Sequence, residues 1–159
     1  MKRILVSKCL LDYPYRYDGK DVRIPALKEL LKDFEVISIC PEVELLNLPV
    51  PRPRLKFVPD KGSLKLLRED TKEELVELLR EKSREFLNQI GEIHGAILKS
   101  KSPSCGVGDA KVYKCLECEE EVGRAWGIFA KELKKRFPNI PIITEKEIDL
   151  LSQVFKSKG

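Results

Sequence analysis

The sequence is poor in histidine, methionine and tryptophan, with one of each among 159 residues. With one histidine and a single C-x-x-C pair, the chain lacks the usual ligands of a monomeric structural zinc site. No G-x-G-x-x-G or G-x-x-x-x-G-K-S/T string is present, which argues against dinucleotide-binding and P-loop enzymes. No apolar run approaches the roughly 18 residues of a membrane helix, and no apolar leader follows Met1. We therefore expect a cytoplasmic protein with no membrane partner.

Length and charge indicate one soluble globular domain spanning residues 1–159. Charged residues make up 35% of the chain, and 30 Lys and Arg against 26 Asp and Glu give a net charge of +4. The basic residues are scattered among acidic ones, so we expect no nucleic acid polymer as a partner. Five cysteines in a reducing cytoplasm are typical of metal-binding, catalytic or buried thiols more than of disulfides.

Apolar strands alternate with helical patterns along the chain. Strands are predicted at residues 3–7, 35–39, 95–99 and 140–143, and helices from Pro25, from a Thr71–Glu74 capping box to Gly91, over 121–137, and after a Thr144–Glu147 capping box as far as Phe155. This alternation predicts an α/β fold, a single-domain three-layer sandwich with a mostly parallel sheet of about four strands.

Three cysteines, Cys9, Cys40 and Cys105, come just after predicted strands. The carboxyl ends of parallel strands meet at one edge of a sheet, where ligands bind, so the three thiols can converge. Three thiolates without a fourth leave one position open on a metal or cluster, as in a catalytic site. In isolation, Cys9 is better explained as a small buried apolar residue than as a ligand, and only the three cysteines together favour a ligand set.

Polar residues near these cysteines are further candidates. Glu42 lies two residues beyond Cys40, where a carboxylate can move protons, although a solvated glutamate is the alternative. In the aromatic loop, Arg16, Tyr17 and Asp18 can stack on and hydrogen-bond a flat heterocycle, or simply form a packed loop.

The pair Cys115 and Cys118 forms a single C-x-x-C, which can bind zinc, act as a redox pair or lie in a loop by chance. We treat the two residues as secondary metal-ligand candidates.

Five strings in this order resemble domain-of-unknown-function family 523, which includes the bacterial 2-thiouracil desulfurase. They are V-S-K-C-L-L at 6–11, R-Y-D-G at 16–19, C-P-E-V at 40–43, L-P-V-P-R-P at 48–53 and S-P-S-C-G at 102–106. The likeness covers residues 1–110 and leaves 111–159 as a variable part.

The resemblance implies a [4Fe-4S] cluster held by Cys9, Cys40 and Cys105, with a free iron that takes the sulfur of a thiolated pyrimidine. It also implies that Glu42 and Ser102 assist water addition, with Ser104 as the next choice and as a substrate contact.

The sequence thus predicts an enzyme, an iron–sulfur-dependent, non-redox desulfurase that hydrolyses C=S to C=O in a small thiolated heterocycle such as 2-thiouracil. Two alternatives are a small-ligand or anion-binding α/β module and a zinc-binding interaction protein, both without catalysis.

Overall fold

The computed structural model describes residues 1–151 and 155. Its strands in that part of the chain are β1 (Arg3–Ser7), β2 (Glu35–Ile39), β3 (Leu55–Asp60), β4 (Ser63–Arg68), β5 (Gly95–Leu98), β6 (Ala110–Tyr113), β7 (Glu121–Ala125) and β8 (Ile142–Thr144). The α-helices are α1 (Pro25–Leu30), α2 (Val76–Ile90) and α3 (Ile128–Arg136). None of the helices in the described ranges is long and apolar enough to cross a membrane.

The first sheet has four parallel strands in the order β2-β1-β5-β8. Successive residues of β1 point to opposite faces. Ile4 packs with Leu27 of α1 on one face, and Leu5 packs with Leu87 of α2 and Phe129 of α3 on the other. Because helices cover both faces, the predicted α/β class and the four-stranded parallel sheet are confirmed.

A second sheet, in the order β4-β3-β6-β7, was not predicted. Strands β3 and β4 form one antiparallel hairpin, β6 and β7 form another, and β3 pairs with β6 in parallel. Leu55 and Phe57 of β3 share a core with Leu66 of β4 and Leu79 of α2. The expected sandwich around a single sheet is therefore corrected to an architecture with two sheets.

The helix predicted over 121–137 is wrong over its first seven residues. Residues 121–125 form β7, and α3 begins only at Ile128. Val122 and Ala125 fit a helical period, but Val122 is 50% exposed and lies at an irregularity in the pairing of β6 with β7 instead of entering the core. Gly123 and Gly127 disfavour a helix here, since glycine loses the most backbone freedom on ordering.

The capping box predicted at Thr71 and Glu74 is also wrong. The backbone N–H groups of Leu66 and Val76 donate to the Glu74 carboxylate at 2.8 and 3.1 Å. Residues 66–68 pair with residues 73–75 across a turn, and α2 begins only at Val76.

The second capping box, at Thr144 and Glu147, is confirmed. It opens a 3₁₀ segment, Glu145–Leu150, and helical geometry follows at Leu151. The predicted final helix extends over residues 152–154, which lie outside the described residues.

The loop that carries Cys105 is fixed against the start of α3. Ile128 N–H donates to the Pro103 carbonyl at 2.9 Å, and Gly127 N–H donates to the Gly106 carbonyl at 2.8 Å. The loop therefore satisfies N–H groups that a helix start leaves without partners. The approach is so close that a Cβ atom on Gly127 would lie 2.5 Å from the carbonyl carbon of Ser104.

We expect Gly127→Ala to lower the free energy of unfolding by about 1–3 kcal/mol, because the added methyl group must displace backbone atoms. Urea unfolding followed by circular dichroism measures the change. Gly123→Ala is the matched control, since a Cβ atom there meets nothing within 4 Å. Equal effects of the two substitutions would contradict the close contact.

Candidate active site

The structure brings Cys9, Cys40 and Cys105 to one cavity of about 230 Å³. The cavity lies at the edge of the parallel sheet where β1, β2 and β5 end. All three cysteines are free; Cys40 and Cys105 are buried and Cys9 is partly buried. The predicted convergence of three thiols at a sheet edge is thus present.

Burial and mutual repulsion keep these thiols protonated in the absence of a bound cation. Burial first, then the charges of Cys105 and Cys40, raises the pKa of Cys9 to about 12. Burial likewise raises the pKa of Cys105 to about 12 and shifts the pKa of Cys40 upward. A cationic centre would reverse this preference, because thiolates are the ligands of soft metals.

The donor set fits a cluster better than a single ion. Within residues 1–151 and 155, no group of three His, Cys, Asp or Glu side chains is arranged to hold one metal ion. A cluster presents several irons, so its thiolate ligands need not converge on one point. Three free thiols on one cavity match that requirement in number and in chemistry.

Cys40 is positioned by the turn that follows it. Residues 41–45 form a π-helical turn with Pro41 at its start. The Glu44 carboxylate accepts a hydrogen bond from Cys40 N–H at 2.8 Å and pairs with Lys8 at 3.0 Å. The same turn carries Glu42 towards the cavity.

Glu42 forms a buried ion pair with Arg52, whose side chain is 3% exposed. Arg52 Nε donates to Glu42 Oε1 at 3.0 Å. The other guanidinium nitrogens donate to the carbonyls of Pro49 at 3.0 Å and Tyr15 at 3.2 Å. Arg52 therefore links the carboxylate to the proline-rich loop and to the aromatic loop.

Sequence reasoning missed this role of Arg52, because arginines in proline-rich loops are commonly solvated. The sequence does contain one indication of this role, the prolines on both sides of Arg52. Proline has no backbone N–H, so the segment cannot form regular backbone hydrogen bonds, and a side chain is favoured to hold it in place.

Two serine hydroxyls connect the carboxylate to Cys105. Ser104 Oγ lies 3.5 Å from Glu42 Oε2, 3.8 Å from Cys105 Sγ and 2.9 Å from Ser102 Oγ. Ser102 Oγ also accepts from the N–H groups of Ser104 and Cys105, at 3.1 and 3.0 Å. Ser102 thus shapes the loop, and Ser104 is the hydroxyl nearest to Glu42.

The aromatic loop supplies part of the cavity wall. Arg16 and Tyr17 line the cavity, and the Arg16 guanidinium lies 5.4 Å from the centre of the Tyr17 ring. Asp18 pairs with Arg16 at 3.4 Å but does not line the cavity. Arg52 N–H donates to the Tyr17 carbonyl at 2.7 Å, which fixes the loop from behind.

Cationic side chains are numerous in the cavity wall. Among the lining residues, Glu42 supplies the carboxylate, and the cationic side chains are those of Lys8, Arg16, Arg52, Arg54, Lys99, Lys101 and Lys111. Six of these seven cations form ion pairs, and their partners are Glu44, Asp18, Glu42, Glu69, Glu119, Glu145 and Glu121. Most of the positive charge of the wall is therefore balanced by carboxylates in or beside it.

Cys115 and Cys118 lie apart from the cavity lining. They are joined as a disulfide in the turn between β6 and β7. As a disulfide, the two sulfurs are not thiolate ligands.

Comparison with known proteins places these features in a family. The 2-thiouracil desulfurase family model matches residues 4–145. The chain is 31% identical over 113 residues to the uncharacterized protein YbbK of Bacillus subtilis (strain 168), an alignment that covers 66% of this chain and 74% of that protein. The fold matches the solved structure of the [4Fe-4S]-dependent thiouracil desulfidase TudS with a TM-score of 0.72 and 26% identity, over 99% of both chains. The sheet-edge cavity, its three free cysteines and a match over nearly all of the chain lead to one conclusion: the protein belongs to the 2-thiouracil desulfurase family.

Proposed function

We propose that the protein is an iron–sulfur-dependent, non-redox desulfurase that converts the C=S group of a thiolated nucleobase, such as 2-thiouracil, into C=O. The observation that carries this proposal is the cavity where three free cysteines lie beside a buried carboxylate and two linked serine hydroxyls. The family match and the likeness to TudS support it.

Cys9, Cys40 and Cys105 would hold a [4Fe-4S] cluster. When bound, such a cluster supplies an iron without a protein ligand, which is a Lewis acid with affinity for sulfur.

The overall reaction adds water to the thiocarbonyl carbon and releases hydrogen sulfide. Glu42 accepts a proton from the attacking water through Ser104, and that proton returns to the departing sulfur or to the ring nitrogen. Ser102 orients Ser104 through the 2.9 Å contact between their hydroxyls. No electrons enter or leave, because carbon and sulfur keep their oxidation states.

Binding and exclusion of water are the tasks of the aromatic loop. Arg16 and Tyr17 offer a guanidinium plane and a ring face, on which a flat pyrimidine stacks. Asp18 acts indirectly by holding Arg16.

We expect Cys9→Ser, Cys40→Ser and Cys105→Ser each to abolish stable iron binding, because each removes one of three soft ligands. Protein purified without oxygen is assayed for iron, acid-labile sulfide and visible absorption. Wild type should hold about four irons per chain.

Cys115→Ser with Cys118→Ser is the matched control and should keep the iron. A colourless wild-type protein in which no iron–sulfur cluster can be reconstituted would contradict the desulfurase proposal. It would favour the alternative of a small-ligand or anion-binding module. Iron or zinc lost only in the control would indicate a metal site at Cys115 and Cys118.

We expect Glu42→Gln to lower kcat for sulfide release from 2-thiouracil by about 10²–10⁴, the usual contribution of a general base. Glutamine keeps the size of the side chain but cannot take the proton. Iron content measured on the same sample separates lost chemistry from a lost cofactor. Full turnover by an iron-loaded Glu42→Gln variant would remove Glu42 from the mechanism.

We expect Arg52→Gln to lower the free energy of unfolding by about 3–5 kcal/mol, because it leaves the Glu42 carboxylate buried and unpaired. Urea unfolding measures the loss. The double variant Glu42→Gln with Arg52→Gln should recover part of it, since the uncompensated charge is gone. Arg23→Gln is the control: Arg23 pairs with Asp21 on the surface, and its loss should leave the unfolding midpoint unchanged.

A further inference from the structure

The Cys115–Cys118 disulfide has no role in the proposed reaction. It closes the turn between β6 and β7, and the N–H of Cys118 also donates to the carbonyl of Cys115 at 3.2 Å. Both residues are partly exposed. A C-x-x-C pair within reach of solvent has the spacing and the access that thiol–disulfide exchange requires.

A buried lysine lies directly beneath this turn. The side chain of Lys56 is 1% exposed. Its ammonium group donates to the carbonyls of Leu116 at 3.1 Å and Cys118 at 2.7 Å. Two of its hydrogen-bond acceptors are therefore carbonyls of the C-x-x-C turn itself.

A carboxylate balances the charge of Lys56. Glu119 Oε2 lies 2.8 Å from Lys56 Nζ, and the Arg54 guanidinium contacts the same carboxylate at 2.7 Å. These two cations hold the pKa of Glu119 down at about 2, with Arg54 as the larger cause. The turn, the lysine and the carboxylate thus form one connected unit.

This unit lies behind the cavity wall. The Lys56 ammonium is 4.5 Å from the centre of the Tyr113 ring, and Arg54 contacts Tyr113 Oη at 3.4 Å. Arg54 and Tyr113 line the cavity.

We propose that Cys115 and Cys118 are a redox-active pair, a thiol–disulfide exchange site for an external dithiol, and that Lys56 stabilises its disulfide form. The dithiol gives up two electrons and two protons and becomes a disulfide. The bond between Cys115 Sγ and Cys118 Sγ breaks, and each sulfur gains one electron and one proton.

Lys56 shifts the equilibrium between the dithiol and the disulfide through its contacts with the backbone of the turn. The disulfide holds the turn in the shape that presents both carbonyls to the buried ammonium, which would otherwise lose acceptors at a high cost. Reduction frees the turn and weakens these contacts. The disulfide strengthens the contacts of the ammonium by some factor, and by linkage the ammonium favours the disulfide by that same factor. Removing the ammonium must therefore make reduction easier by that factor. The positive charge of Lys56 would also stabilise thiolates, which would favour reduction of the pair. This opposing effect is small, because Glu119 balances the charge of Lys56.

The test measures the redox state of the pair in the full chain. Protein purified under nitrogen is equilibrated at neutral pH with graded ratios of reduced to oxidised dithiothreitol. It is then quenched with acid, labelled with N-ethylmaleimide and digested with trypsin. The peptide 115–124 contains both cysteines and no others, so its mass reports two labels or none.

We expect the wild-type pair to change reversibly between disulfide and dithiol. In Lys56→Met, the pair should become reduced at a ratio of reduced to oxidised dithiothreitol that is at least fivefold lower. Lys114→Met, an exposed position in the same connection, is the control and should stay within twofold of wild type. This variant loses the cleavage site after residue 114, so its reporting peptide is 112–124, which also contains both cysteines and no others. Lys56→Gln, which removes the ammonium but keeps a polar side chain, should shift the transition in the same direction as Lys56→Met. It decides the outcome alone if Lys56→Met does not fold.

Three results would overturn the proposal. The peptide could carry two labels at every ratio, which means that no disulfide forms. It could carry none in excess reductant, which means an inert cross-link. The Lys56→Met and Lys56→Gln variants could become reduced at the same ratio as wild type or at a higher one. This readout needs no sulfide release, so it stands or falls independently of the desulfurase proposal.

Discussion

The site depends most on the buried ion pair between Glu42 and Arg52. One guanidinium group binds the Glu42 carboxylate and the carbonyls of Pro49 and Tyr15, which belong to three different segments of the chain. An ion pair at this depth stabilises only when its hydrogen bonds are satisfied, because desolvation of two charges costs several kcal/mol per ion in real proteins. Here three segments around the guanidinium contribute acceptors. The carboxylate, the aromatic loop and the proline-rich loop are thereby fixed as one unit.

The parallel sheet places the cysteines in relation to that pair. β1, β2 and β5 end at one edge, and the three free cysteines follow these three strands. The loop after β5 is further fixed from behind, since the start of α3 binds its carbonyls. The thiols therefore sit on rigid elements, whereas Arg16 and Tyr17 sit on a loop anchored through backbone contacts. Rigid ligand positions together with a loop-borne ring contact suit a site with a fixed cofactor and an exchangeable substrate.

The sequence was sufficient where local pattern and tertiary environment agree. The strands at 3–7 and 35–39 and the helix ending before Gly91 follow from apolar periodicity and from a glycine stop, and the structure has them. The strand predicted at 140–143 lies at Ile142–Thr144, a shift within the ordinary uncertainty of element ends.

Prediction failed where long-range pairing decides the structure. Strands β3 and β4 carry Lys56 and Lys65 among apolar residues. Lys56 is buried because it donates to carbonyls of a turn some 60 positions later in the chain, including that of Leu116. No local sequence pattern encodes such a contact. Likewise, Val122 and Ala125 have a helical spacing, but the partner that makes them a strand is β6. Pairing of this kind is set by non-local hydrogen bonds, which single-sequence patterns do not contain.

The same distinction applies to the site. The cysteines could be assigned from the ends of strands, because the geometry of a parallel sheet is general. The separate roles of Ser102 and Ser104 could not be assigned from the sequence. They depend on which of the two hydroxyls accepts hydrogen bonds from the backbone of the tight loop. Ser102 Oγ accepts two N–H groups and stabilises the loop, which leaves Ser104 to contact Glu42 and Cys105. The two serines therefore have separate tasks: Ser102 holds the loop that carries the third thiol, and Ser104 connects that thiol to the carboxylate.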